Sequence, residues 1–110
     1  MLSNPIASNY GSARQALLKG NGLGKSHFAM KFYYAYILQS KENSNRFYTG
    51  FTENLESRLK SHNRGDNPHT SKNKPWKIKT AVAFSDRQKA LDFEAYLKSP
   101  SGRAFAKKRL

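Results

Sequence analysis

Two side chains of this 110-residue sequence stand where phosphate chemistry would want them. Arg58 and His62 lie four residues apart in NLESRLKSHN, a stretch with helical period. At about 100° per residue, Leu55, Leu59 and His62 share one stripe, and Arg58 follows Leu55 by three. Both polar groups therefore border the apolar face instead of opposing it. A guanidinium held there offers a planar fork to a phosphate. The plainer reading is two rim residues, with apolar stems packed and polar heads in water.

Glu94 sharpens the question. On a second helical pattern it falls inside an arc marked by Ala90, Leu91, Phe93 and Leu97. A carboxylate is rarely buried unless it is paired or bound to a metal. One reading is a salt bridge to a nearby cation, Arg58 included. The other is a ligand for a hard divalent cation, with water and substrate phosphate completing the coordination. Tyrosine hydroxyls are a further resource. Tyr33, Tyr34, Tyr36 and Tyr48 fall in two aromatic strand patterns. Two hydroxyls beside a cation-rich site can orient a water, or one can take its proton. The pattern does not select which tyrosine. Lys72, Lys74, Lys77 and Lys79 can track a phosphate backbone, with Trp76 among them for stacking. Against this stands a solvated loop and the outer face of a strand.

The elements that position these groups follow from local pattern. KFYYAYILQS is aromatic and β-branched enough for a strand. KENSN is a polar turn, and RFYTGF reads as a second strand in a hairpin, with Gly50 expected to let it turn sharply into the helix that follows. Thr52 is placed to cap a helix over roughly 53–63, with Glu53 and Glu56 at its positive end. RGDNPHTSKNKP is a loop, and WKIKTAVAFS a third strand. Ser85 or Asp86 caps a helix over roughly 86–98. Pro100 and Gly102 interrupt it, and AFAKKRL is expected to form a short basic helix. The order β-β-α-β-α(-α) predicts an α+β fold, two or three helices on a small, mainly antiparallel sheet.

Residues 1–30 read as a flexible basic N-terminal arm, and residues 31–110 as the folded domain. Within the arm, GNGLGKS (Gly20 to Ser26) imitates a phosphate-binding loop. The required G-x-x-x-x-G-K-S spacing fails, because the first position would be Lys19. No nucleotide cofactor is expected. Lys and Arg number 20 against 7 acids, a formal net charge of +13. Such an excess costs self-repulsion unless an anionic partner is present, and nucleic acid is the leading candidate. The absence of cysteine removes disulfides and thiolate metal sites and fits a reducing, cytoplasmic setting. No apolar run approaches the length of a membrane span, and the N-terminus lacks the compact apolar segment of a secretory signal.

The set as a whole resembles the GIY-YIG nuclease family, most closely its small single-domain bacterial branch. YAY (Tyr34 to Tyr36) stands where GIY would, and YTG (Tyr48 to Gly50) where YIG would. NLESRLKSHN then places Arg58 ten residues after Tyr48. HTSKNKPWKI and FEAYLKSPSGRAFAKKRL are similar to the branch's loop, third strand, second helix and tail. The resemblance implies a three-stranded antiparallel sheet flanked by helices. It implies a metal-dependent endonuclease hydrolysing DNA phosphodiester bonds, acting in DNA repair or recombination. It assigns Tyr36 as base toward the attacking water and Tyr48 to positioning. Arg58 would stabilise phosphoryl charge, His62 would assist proton transfer, and Glu94 would hold one Mg²⁺ or Mn²⁺. The first motif lacks its glycine, Phe51 stands where repair-type members carry lysine, and no asparagine follows Glu94. Phe51 and the missing asparagine motivate the alternative, a non-catalytic nucleic-acid-binding module on the same fold.

Overall fold

Alternation along YYAYILQS decides the architecture. Successive side chains of a strand point to opposite faces. Tyr36 and Leu38 therefore go to one side and Ala35 and Ile37 to the other, and all four are buried. A strand buried on both faces needs cover on both. The computed structural model describes residues 30–110 and supplies that cover. Apart from Met30, the expected arm, with the Gly20–Ser26 segment, lies outside the described residues.

β1 (Tyr33–Ser40) is the centre of a three-stranded antiparallel sheet, flanked by β2 (Phe47–Thr52) and β3 (Trp76–Phe84). α1 (Leu55–Arg64) follows β2, while α2 (Arg87–Lys98) and α3 (Pro100–Arg109) follow β3. A short 3₁₀ turn, Ser71–Asn73, lies in the loop before β3. On one face Tyr36, Leu38 and Trp76 pack with Tyr48, Leu55, Leu59 and Ile78. On the other, Ala35, Ile37 and Leu97 pack with Phe84, Phe93, Ala106 and Leu110. The α+β class, the antiparallel three-stranded sheet and the order of elements along the chain match the expectation.

The helix ends differ in detail. Asn54, not Thr52, caps α1, its side chain accepting from the Ser57 amide at 3.0 Å. Thr52 is still the last residue of β2, paired with Tyr34, so its backbone serves the ladder. Its hydroxyl accepts from the Asn54 amide at 3.1 Å and prepares the cap. Asp86 caps α2 through the amides of Gln88 and Lys89. Pro100 does not merely interrupt; it occupies the first turn of α3, where a missing N–H costs nothing. Ser99 caps α3 through the Gly102 amide at 3.1 Å.

Gly102 is where α3 touches α2. A Cβ at this position would collide with the Tyr96 carbonyl and come 2.8 Å from the Leu97 Cα. Both obstacles are backbone, so neither yields by rotation. Gly102→Ala is expected to destabilise the domain by about 2–3 kcal/mol or more, the upper range for overpacking. Urea unfolding followed by the fluorescence of Trp76, the sole tryptophan, measures it.

Candidate active site

The pairing of β1 with β2 sets Tyr36 opposite Gly50. A Cβ on Gly50 would lie 2.6 Å from Cζ of Tyr36. The glycine of the YTG triplet is therefore not a turn device, as its place before a helix suggests. It lies inside β2 and makes room for the Tyr36 phenol. The phenol is 2% exposed and ends between two side chains of α1. Its oxygen lies 2.9 Å from Nε2 of His62 and 3.3 Å from Nε of Arg58.

His62 is fully buried and bonded at both nitrogens. Nδ1 lies 2.8 Å from the Thr70 hydroxyl, which itself donates to the Asn67 carbonyl at 3.4 Å. The phenol oxygen accepts from Arg58, and Nε2 of His62 is the acceptor within reach of the phenol's own proton, so Nδ1 carries the imidazole proton and donates to Thr70. Nε2 is then bare and accepts from the Tyr36 hydroxyl. Arg58, a permanent donor, gives its Nε–H to the same phenol oxygen. Burial, reinforced by the Arg58 charge, pushes the His62 pKa down to about 4. Burial also lifts the Tyr36 phenol above its ordinary range; the bond from Arg58 opposes this, and the charges of Tyr48 and Glu94 add to it. The bond to Tyr36 in turn holds Arg58 firmly charged. At neutral pH the proton rests on Tyr36 and the imidazole is uncharged. Tyr48 closes the group, its ring 5.0 Å from that of His62.

The GIY-YIG catalytic-domain family matches residues 32–109. This chain belongs to the GIY-YIG family. It is 37% identical over 70 residues to a UPF0213 protein of Bacillus licheniformis, covering 63% of this chain and 70% of that one. A UPF0213 protein of Clostridium perfringens is 38% identical over 66 residues, covering 59% and 69%. A structure-specific endonuclease subunit, SLX1, of Cryptococcus neoformans is 34% identical over 95 residues. That match covers 81% of this chain, which spans only 18% of the fungal protein.

In this GIY-YIG domain Glu94 does not pair with Arg58. Its carboxylate is bonded at 2.7 Å to Lys98, one helical turn on, and its side chain is 18% exposed. The half-buried oxygen donor suits a hard cation. Among the described residues no group of three His, Cys, Asp or Glu side chains could hold a metal. Such an ion would therefore take most of its ligands from water and substrate. No described helix is long and apolar enough to cross a membrane.

The five residues expected to contact nucleic acid divide. Lys72 and Lys74 are exposed on the segment leading into β3, and Lys77 and Lys79 are exposed within it. Trp76 is not a stacking surface. It is 2% exposed, and its indole N–H donates to the Thr70 carbonyl at 2.8 Å. Its amide donates to Oδ1 of Asn63 at 2.6 Å, and Nδ2 of Asn63 donates back to its carbonyl at 3.1 Å. Period-two alternation across Trp76, Ile78 and Lys77 already separates an inner from an outer face. Phe51 lies under the Arg87 guanidinium, 5.4 Å from its ring centroid, and stacks on Tyr33. Thr70 and Asn63 went unrecognised in the sequence. A threonine in a polar loop carries no signal that a buried histidine needs it.

The neutral His62 has a measurable consequence. The unfolded chain takes up a proton near 6.5, whereas folded His62 refuses it until about 4. Stability from this group is complete above the unfolded value and is lost as pH falls through that window, by roughly 3 kcal/mol. Urea unfolding near pH 7.5 and near pH 4 is expected to differ by about that much more in the wild type than in His62→Gln.

Proposed function

We propose that this domain is a divalent-metal-dependent endonuclease that hydrolyses phosphodiester bonds in DNA, with a role in repair or recombination. The observation that carries the reading is the Tyr36 hydroxyl, shared between His62 Nε2 and Arg58 Nε in a GIY-YIG domain. A fungal relative named as a structure-specific endonuclease subunit supports it. The net charge of +13 supports a polyanionic substrate.

In this reading a water lies against the phenol oxygen of Tyr36 and attacks phosphorus. Its proton passes to that oxygen as the Tyr36 proton moves to Nε2 of His62. The new bond joins the water oxygen to phosphorus, and the bond to the leaving sugar oxygen breaks. His62 is fully buried, so it acts through Tyr36 and not on the phosphate. Thr70 keeps Nε2 free for that proton. Arg58 spends one nitrogen on Tyr36 and turns the others of its fork to the phosphoryl oxygens. Tyr48 holds the water and the scissile phosphate in line. Glu94 would hold one Mg²⁺ or Mn²⁺, which supplies Lewis acidity and steadies the leaving oxygen.

Purified protein with Mg²⁺ or Mn²⁺ is expected to nick a panel of branched and single-stranded DNA. Tyr36→Phe should lower the rate by about 10²–10⁴-fold, and Arg58→Ala by about 10²–10³-fold. Glu94→Ala should abolish metal-dependent cleavage; nicking at the wild-type rate would sink the mechanism. The rate should be flat from about pH 5 to 8, because His62, with its value of about 4, is already neutral and able to take the relayed proton. A rate that climbs from neutral into the alkaline range would mean that Tyr36 must first lose its own proton, and would overturn the relay. Salt-sensitive binding with no cleavage under any metal would establish the binding-module alternative.

A further inference from the structure

Opposite the Tyr36 face, between the sheet and the two C-terminal helices, lies a groove of about 730 Å³. Its floor is apolar: Ile37, Leu97 and Ala106. Around it stand four cations, Lys79, Lys98, Arg103 and Lys107, and no carboxylate belongs to its lining. Phe47, 51% exposed, forms one wall. The cations come from three elements. Lys79 reaches this side through an irregularity in β3, where Ile37 pairs with Thr80 but Leu38 with Ile78. Lys79 and Thr80, though adjacent, thus both bond the same main-chain oxygen of Leu110, at 2.5 and 3.3 Å. Arg103 is anchored by one nitrogen to the Lys98 carbonyl at 2.7 Å, which leaves the rest of its fork available.

This groove meets the candidate active site at two points. Tyr48 lines it and also packs on His62. Lys98 lines it and also neutralises Glu94. Lys98 therefore has two possible anions, the Glu94 carboxylate and whatever enters the groove. We propose that the groove binds a nucleic-acid strand with unpaired bases, and that Lys98 is the latch coupling this strand to Glu94. The cations take the phosphates, and Phe47 with the apolar floor takes a base face. A duplex would present only its backbone to that floor. A phosphate that draws Lys98 away uncovers the Glu94 carboxylate, which is then available to a divalent cation. The metal role of Glu94 rests on the endonuclease reading; the groove and its competition with Glu94 do not.

The test needs no cleavage. Fluorescence anisotropy of a labelled oligothymidylate in EDTA measures binding with hydrolysis switched off. Arg103→Ala/Lys107→Ala should weaken it by roughly tenfold or more and flatten its salt dependence. Phe47→Ala should weaken it by roughly fivefold or more while leaving a blunt duplex unaffected. Glu94→Gln should tighten binding by about threefold, because Lys98 is released, and Lys98→Met should weaken it. In the Lys98→Met background Glu94→Gln should change nothing. Equal tightening in both backgrounds would mean a general charge effect and would overturn the latch. Oligothymidylate binding indifferent to Arg103, Lys107 and Phe47 would overturn the groove, as would an acidic peptide or a second copy of the chain displacing the strand from it. All of these side chains except that of Glu94 are exposed, and thermal melts followed by circular dichroism check that each variant folds. Loss of nicking with these binding results intact would refute the endonuclease alone.

Discussion

A buried phenol oxygen must be bonded, and in this domain that requirement organises everything around the central strand. Tyr36 is nearly inaccessible to solvent, and an unpaired hydroxyl there would cost about 1–3 kcal/mol. His62 and Arg58 meet the need. Each solution creates the next demand. A fully buried imidazole needs a partner for its second nitrogen, which brings Thr70 inward. Thr70 sits in a loop, so the loop must be held. Trp76 holds it through the Thr70 carbonyl, and Ser40 through the Asn73 carbonyl at 2.7 Å. Gly50 completes the set by leaving the space the ring occupies. No buried side-chain polar atom among the described residues is left without a partner.

The two faces of the sheet carry different physics. The α1 face is polar at its centre, and its hydrogen bonds depend on distances of a few tenths of an ångström. The face under α2 and α3 is apolar, built on Ile37, Leu97 and an aromatic cluster of Phe84, Phe93, Tyr96 and Phe105. Such packing is less directional and supplies a base against which the polar face can be rigid. α2 serves both. Its Ala90 and Leu97 are core, and its Glu94 extends negative charge to Tyr36. The same arrangement makes the site acid-sensitive, because a histidine kept neutral by burial is a stability gain only while the solvent leaves it neutral.

Several misreadings share one cause. Thr52 and Asn54 are both competent caps, and only the extent of strand pairing decides between them. Gly50 before a helix resembles a turn residue until the register puts it opposite Tyr36. Trp76 among lysines resembles a stacking platform until β3 turns its side chain inward. In each case the deciding partner is distant in sequence and carries no local mark.

Local chemistry did determine a great deal. The family resemblance, not spacing, picked out Tyr36 and Tyr48; alternation specified the strands, and helical period specified α1 and α2 and set Arg58, His62 and Glu94 at or within their apolar stripes. These features are written in periods of two and 3.6 residues, which a chain imposes on itself. Tertiary structure alone decided that His62 is buried between Tyr36 and Thr70, and that Lys98 pairs with Glu94 in place of Arg58. Those outcomes depend on which groups compete for one oxygen or one carboxylate after packing. Sequence names the competitors, and three-dimensional distance selects among them.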